Sequence, residues 1–296
     1  MDLFLQRVFD GLANGSAYAL IAVALVLIFK ATTLINFAQG ELAMLGAFFA
    51  IQLWYWGVPM WGAVIVAMLL TAILAAGVER TLIRPFDPKD HLPLVIITLG
   101  LFLAINAFAG IVWRFDPRQF PELFPSGNAL DIGSRGLSWY AVFTIGLTII
   151  VMLLLQLLLN KTKVGLAFRS VSSNLESSEL VGIKVGSTLQ FGWALAAAVG
   201  TLGACVYVAN PLLSLEPYVM LRVLIFASSA AALGGLDSIW GALVGGLAIG
   251  FVQSFLVQYL DFIPSEMSLA AAVVVLLIIL LFKPAGLFGT ASVERV

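Results

Sequence analysis

Residues 34–50 read LINFAQGELAMLGAFFA. Asn36, Gln39 and Glu41 fall within six residues of an otherwise apolar run. Of the 296 residues, 61% are hydrophobic and only 10% charged, and mean hydropathy is +1.07. Soluble domains carry roughly 25% charged residues. The run therefore reads as a membrane segment. An ionised side chain at membrane depth costs ~2.5–3.5 kcal/mol or more, so something must hold Glu41 or use it. The fold class that follows is all-α: a polytopic transmembrane helix bundle in a single domain, 1–296.

Working outward, a hydrocarbon core of ~30 Å needs about 20 apolar residues of helix. Nine segments qualify as candidates, near 8–30, 36–56, 60–79, 92–113, 139–159, 187–208, 219–235, 239–260 and 266–283. The seventh is short and ends in LGGLDS, which suggests a broken or re-entrant element and leaves eight or nine spans. The stretch before the first segment, MDLFLQRVFDG, lacks a basic leader region and a small-residue cleavage site, so that segment reads as a mature span. Lysine and arginine set the orientation. Ten of the fifteen fall on one side if the linkers near 30–36, 80–91, 160–186 and 236–238 and the C-terminus are cytoplasmic; Arg7, Arg114, Arg118 and Arg135 fall on the other. The expectation is N-terminus outside, C-terminus inside.

Two linkers are long. The proline-rich stretch 114–138 suits an external lid or docking loop. The stretch 160–186 holds Ser173-Asn174-Leu175-Glu176, a capping-box pattern, and Gly182, a left-handed helix stop. Together they predict a two-turn helix over 174–181. Isolated helices under ~12 residues are marginal in water, so such a helix packs on a partner or on its own bundle. Gly11/Gly15, Gly241/Gly245 and Gly246/Gly250 each form G-x-x-x-G, which lets helices approach closely.

Much chemistry is excluded. No G-x-x-x-x-G-K-[ST] loop is present; the nearest string, GIKVGST at 182–188, has its lysine too early. The chain should therefore carry no cofactor and bind no ATP. One histidine, His91, and one cysteine, Cys205, cannot build a usual metal site. No G-x-S-x-G supports a hydrolase, and the net charge of −1 suggests no nucleic-acid surface. The chain reads as a non-enzyme.

What remains is the set of polar residues inside spans. Asn14, Tyr18, Asn36, Gln39, Glu41, Asn106 and Gln253 are candidates for a translocation path or gate. Uncharged members serve equally well as interhelical glue, at ~0.6 kcal/mol per hydrogen bond. Asn36 is placed to cap the second helix with Gln39 at its third position. Glu41 is then either a helix-end anion favoured by the dipole or a carboxylate on the path. Arg222 either snorkels or attracts an anionic ligand group.

Five strings in order, NGSAYALIAVALVLIF, INFAQGELAMLGAF, VERTLIRPF, VGLAFRSVSSNLESSELVGI and LGGLDSIWGALVGGLAIGFVQS, resemble the branched-chain amino acid ABC-importer permeases of LivH type. The resemblance runs from about 10 to 286. It implies a multi-pass subunit of the bacterial inner (plasma) membrane that forms half of a translocation path. The implied partners are a second, LivM-like permease, two cytoplasmic ATPases holding ATP and Mg, a periplasmic or lipid-anchored binding protein, and membrane lipid.

The 160–186 linker then resembles the cytoplasmic coupling loop. Arg169, Glu176, Ser177, Ser178 and Gly182 would contact an ATPase, with Ser177 and Ser178 where the family tends to carry alanines. Three positions depart from the family: Gln39 where His is frequent, Phe226 where Lys is frequent (with Arg222 four residues earlier on the same face), and Asp237 where Gly is frequent. Gln39 cannot titrate, which argues against proton chemistry there. Urea or short-amide permeases look similar. A self-contained channel or secondary carrier is the rival of another class.

Overall fold

A computed structural model describes residues 2–86, 91–132, 135–259, 267–283 and 285–289. Lys89, Arg295 and the C-terminal end used in the orientation count lie outside the described residues. The bundle is built around α1 (Asp2–Thr32). Its residues 17–28 are all buried, because small side chains on several faces let neighbours close in. Two of those neighbours are α8 (Val185–Val208) and α10 (Ile239–Tyr259). Both run antiparallel to α1: Gly15 meets the Gly246 backbone, Gly11 meets Gly250, and Ala31 and Ala24 face Gly192 and Gly200. The two G-x-x-x-G motifs of α1 and α10 thus form one seam. The third, Gly241/Gly245, receives Gly234 and Ala230 of α9 (Val219–Gly234).

Helices α2 (Gln39–Tyr55), α3 (Met60–Val78) and α4 (His91–Trp113) follow in turn. α3 continues into a π-helical turn, Glu79–Ile83. The 114–138 linker folds back on the bundle end. It carries an antiparallel hairpin of β1 (Asn128–Ile132) and β2 (Arg135–Ser138), with Leu130 opposite Leu137 and a register shift between Asn128 and Leu130. A bridge joins Arg118 to Leu215, and Trp61 donates to the Leu123 carbonyl at 3.1 Å. α5 (Trp139–Lys161) starts at a Ser138 cap, whose hydroxyl accepts from the Ala141 amide at 3.2 Å. Then come α6 (Lys163–Ser173) and α7 (Leu175–Leu180), and α11 (Ser268–Phe282) is the last helix among the described residues.

Among the described residues, six helices are long and apolar enough to cross a membrane: α1, α3 with its π turn, α4, α5, α8 and α10. The other three expected segments are short. α2 has 17 residues, α9 has 16 and α11 has 15. At 1.5 Å per residue α9 is about 24 Å long. It stops at Gly234 because Gly235 turns left-handed (φ 107°). Its last carbonyls are taken by the segment that follows the last helix: Leu287 and Phe288 donate to Leu233 and Gly234 at 2.8 and 2.9 Å.

Two local expectations need correction. The stop at Gly182 is present, with φ 84°, but the short helix is capped one residue later than expected. The Asn174 side chain, not Ser173, accepts from the Ser177 amide at 2.7 Å. Amides outcompete hydroxyls little at this position; the register is set by α6, a helix not anticipated in the linker, which occupies Ser173 as its last residue. The capping box proposed for Asn36 and Gln39 is also absent. α2 begins at Gln39 after Ala38, without a side-chain cap.

Candidate functional site

Between α1 and α2 the chain leaves regular helix over residues 33–38. α1 ends at Thr32, and Thr33 takes φ 57°, a genuine outlier for a β-branched residue. The chain then rises as an irregular turn. The Asn36 side chain accepts from the Ala38 amide at 3.0 Å, closing an Asx turn. Gln39 does not reach back to Asn36. Its amide nitrogen crosses to α8 and donates to the Ala196 carbonyl at 3.1 Å. That reach exists because Gly200 lacks a side chain; a Cβ there would collide with the Gln39 amide. Ala196 lies midway along α8, so α2 starts about half-way through the bundle and not at its edge.

Glu41, two residues on, is fully buried. Asn106 of α4 donates to its Oε2 at 3.2 Å, and to the Pro217 carbonyl at 2.7 Å just before α9. Three atoms of the cluster have no hydrogen-bond partner: Asn36 Nδ2, Gln39 Oε1 and Glu41 Oε1. A buried polar atom left unpaired costs about 1–3 kcal/mol. Three such atoms on one turn are hard to explain as packing glue, since apolar residues would pack at lower cost. In front of this cluster the turn presents Ile35 and Phe37, each 37% exposed.

The remaining path candidates gather elsewhere. The Tyr18 hydroxyl donates to Gln253 Oε1 at 2.7 Å, and the Tyr18 ring stacks on Phe226 at 5.0 Å. Asn14 and Gln253 line a cavity of about 730 Å3 near the β-hairpin, together with Tyr207 and Arg222. The sequence-predicted set therefore splits in two: Asn36, Gln39, Glu41 and Asn106 form a buried cluster, while Asn14 and Gln253 line the cavity and buried Tyr18 is bonded to Gln253. Phe226, at a position of departure from the family, is an aromatic support for Tyr18. Asp237, at another, accepts from Lys30 at its backbone carbonyl, at 2.7 Å, a bond that any residue there would provide.

The linker 160–186 lies at the opposite end. Arg169, Glu176 and Ser177 are exposed, while Ser178 is buried and donates to the Asn174 carbonyl at 2.7 Å. Next to Gly182, Leu180 is 88% exposed and Val181 75%. These two apolar residues were not singled out from the sequence, although their position between a short helix and its stop was visible.

A second group was also missed. Glu79, buried in the π turn, pairs with Arg84 through two hydrogen bonds of 2.6 and 3.2 Å. The same guanidinium donates to the Gly186 carbonyl at 2.7 Å and to Gln190 at 3.3 Å, and Gln190 donates to the Ala76 carbonyl at 3.1 Å. A spacing of five does not pair side chains on an α-helix. Only the widened turn, closed from the Arg84 amide to the Glu79 carbonyl at 2.7 Å, brings them together. Among the described residues no group of histidine, cysteine and carboxylate side chains could hold a metal ion.

Long apolar helices around buried polar clusters define a multi-pass helical membrane protein. Residues 7–282 match the family described as branched-chain amino acid transport system / permease component, and the chain belongs to that family. It is 28% identical over 310 residues to the high-affinity branched-chain amino acid transport system permease protein LivH of Escherichia coli, covering 99% of this chain and 98% of the relative. It is 28% identical over 305 residues to BraD of Pseudomonas aeruginosa, a protein with the same description, with the same coverage. Among solved structures, PsaBC from Streptococcus pneumoniae in complex with Fab shares the fold at TM-score 0.50 and 11% identity, over 92% of this chain and 90% of that one.

Proposed function

We propose that this chain is a permease subunit of an ATP-driven importer for branched-chain amino acids in a bacterial inner membrane. The N-terminus and the hairpin face outward, and the α6–α7 linker faces the cytoplasm. Family membership and the descriptions of the full-length relatives support the substrate class. The observation that carries the mechanism is the turn at 33–38, which begins α2 at mid-bundle depth. Irregular backbone at that depth is tolerated only when it is buried in protein or lines a cavity. This turn presents Ile35 and Phe37 on its open side and keeps unpaired polar atoms behind them.

In this reading Ile35 and Phe37 form an apolar constriction that faces a second permease subunit. Asn36, Gln39, Glu41 and Asn106 hold the turn in one of two positions. ATP hydrolysis occurs on separate ATPases, which dock against α6 and α7. Leu180 and Val181 fit that role, because large apolar side chains so exposed outside a span mark an interaction surface. A binding protein delivers solute at the hairpin end, and alternating access moves it across.

The test is reconstitution in proteoliposomes with the second permease, the ATPases and a leucine-loaded binding protein. Leucine uptake should require ATP and every component. Uptake by this chain alone without ATP would establish a self-contained carrier instead. ATP-driven uptake of urea but not leucine would overturn the substrate and leave the importer class standing.

A further inference from the structure

We infer that the Glu79–Arg84 clasp locks α3 to the first turn of α8, so that movement of the ATPase-facing linker enters the transport bundle as movement of both helices together. The inference rests on the importer reading above. α7 ends at Leu180, and the chain passes the Gly182 stop directly into α8 at Val185. Any displacement of α7 therefore reaches the first turn of α8. Arg84 grips that turn at the Gly186 carbonyl, and Gln190, one turn further, grips α3 at Ala76.

Arg84 is itself fixed by the carboxylate of Glu79, which is 1% exposed in the π turn at the end of α3. Gly186 has no side chain, and a Cβ there would lie 3.1 Å from the guanidinium carbon, so the approach is close. The same two helices are tied again near mid-depth, where the Thr71 and Thr201 hydroxyls share a hydrogen bond of 2.8 Å. α3 and α8 are thus fastened at two levels. The carbonyl that anchors Gln39 and the 33–38 turn belongs to α8 between them. Movement of α7 carries this two-helix unit, and the unit carries the turn.

A π turn inside an α-helix is rare and recurs at functional sites. Here it brings residues 79 and 84 to one face. The planar guanidinium fork meets a carboxylate with two hydrogen bonds and still has donors for α8; the three donors of an ammonium radiate from one nitrogen and do not match that bidentate geometry. Arg84 and Glu79 are positioning residues in this scheme and touch no substrate.

The test uses the assembled complex with Glu79→Gln and, separately, Arg84→Lys. Assembly, basal ATPase rate and leucine moved per ATP hydrolysed are measured for each. The expected result is normal assembly and basal hydrolysis with solute moved per ATP reduced about fivefold or more, the range of a typical coupling energy. A purely structural role would lower the amount of complex and leave that ratio unchanged, and this outcome overturns the proposal. Failure of both variants to assemble also overturns it, because the clasp would then be a folding element.

A spin label at Ser173→Cys, an exposed site at the α6–α7 junction outside the expected ATPase contacts, supplies the second measurement, and the buried native Cys205 leaves a low background. In Arg84→Lys the label should still respond to nucleotide while uptake falls. A label that never responds, even with the clasp intact, refutes ATPase docking at α7 and the joint with it.

Discussion

Gly200→Ala places a methyl group where the Gln39 amide now lies. The other two neighbours, the Ala24 and Ala43 Cβ atoms, are each 3.5 Å from the new atom, in ordinary contact. Only the Gln39 side chain has to move, and it loses its bond to the Ala196 carbonyl. Alanine is favoured over glycine in a helix interior by about 0.8–1.0 kcal/mol. A displaced amide left unpaired inside the bundle costs about 1–3 kcal/mol. The net is a loss of about 0–2 kcal/mol, small for a bundle of this size and confined to the 33–41 turn. The variant should therefore assemble and unfold near the normal temperature, yet lose most ATP-driven uptake. Thermal unfolding and leucine uptake in proteoliposomes read the two effects separately. Gln39→Ala should give the same phenotype, and the double variant should be no worse than either single. Full uptake by Gly200→Ala at normal stability would refute the idea that the Gln39 tether positions the turn.

Three further outcomes follow from the same geometry. Gly15→Ala puts a Cβ 2.8 Å from the Gly246 oxygen, so α1 and α10 must separate by roughly 0.6 Å to reach ordinary contact; overpacking of this kind costs about 1–3 kcal/mol. Gly77→Ala meets nothing within 4 Å and should be neutral or stabilising, so Gly15→Ala must unfold at a lower temperature than Gly77→Ala or the seam is misplaced. Glu41→Gln keeps an acceptor for Asn106 and removes an ionisable group from the buried cluster; thermal stability should hold or rise, and a fall in uptake in the assembled complex assigns Glu41 to the path. Asn174→Ala should weaken α7 by about 0.5–2 kcal/mol, seen as faster hydrogen exchange at its amides, while Ser173→Ala should leave them unchanged.

The sequence made the spans legible because apolar length is the main constraint on a chain in lipid. The segment expected at 139–159 is α5, Trp139–Lys161, and that expected at 187–208 is α8, Val185–Val208. The glycine seams could also be read in advance, since a backbone contact needs a missing side chain on both helices. Places where tertiary contacts outrank local signals were not legible. Asn36 and Gln39 have the spacing of a capping pair, but a carbonyl of α8 lies within reach of Gln39, so the side chain bridges helices instead. The Glu79–Arg84 clasp was hidden because its spacing of five has meaning only inside a π turn. Glu41 and Asn106 were each visible as polar residues in spans. Nothing in their separation of 65 positions indicated that they meet.

In the proposed mechanism the 33–38 turn faces the translocation path and switches sides. Phe37→Cys in the assembled complex, treated with a membrane-impermeant thiol reagent, tests it most directly. Cys205 is buried, so the introduced thiol dominates the signal. The expected result is labelling from one face of the membrane without nucleotide and from the other with nucleotide trapped, with leucine slowing both. Labelling only by lipid-soluble reagents, equal in both states, would place the turn against lipid and contradict it.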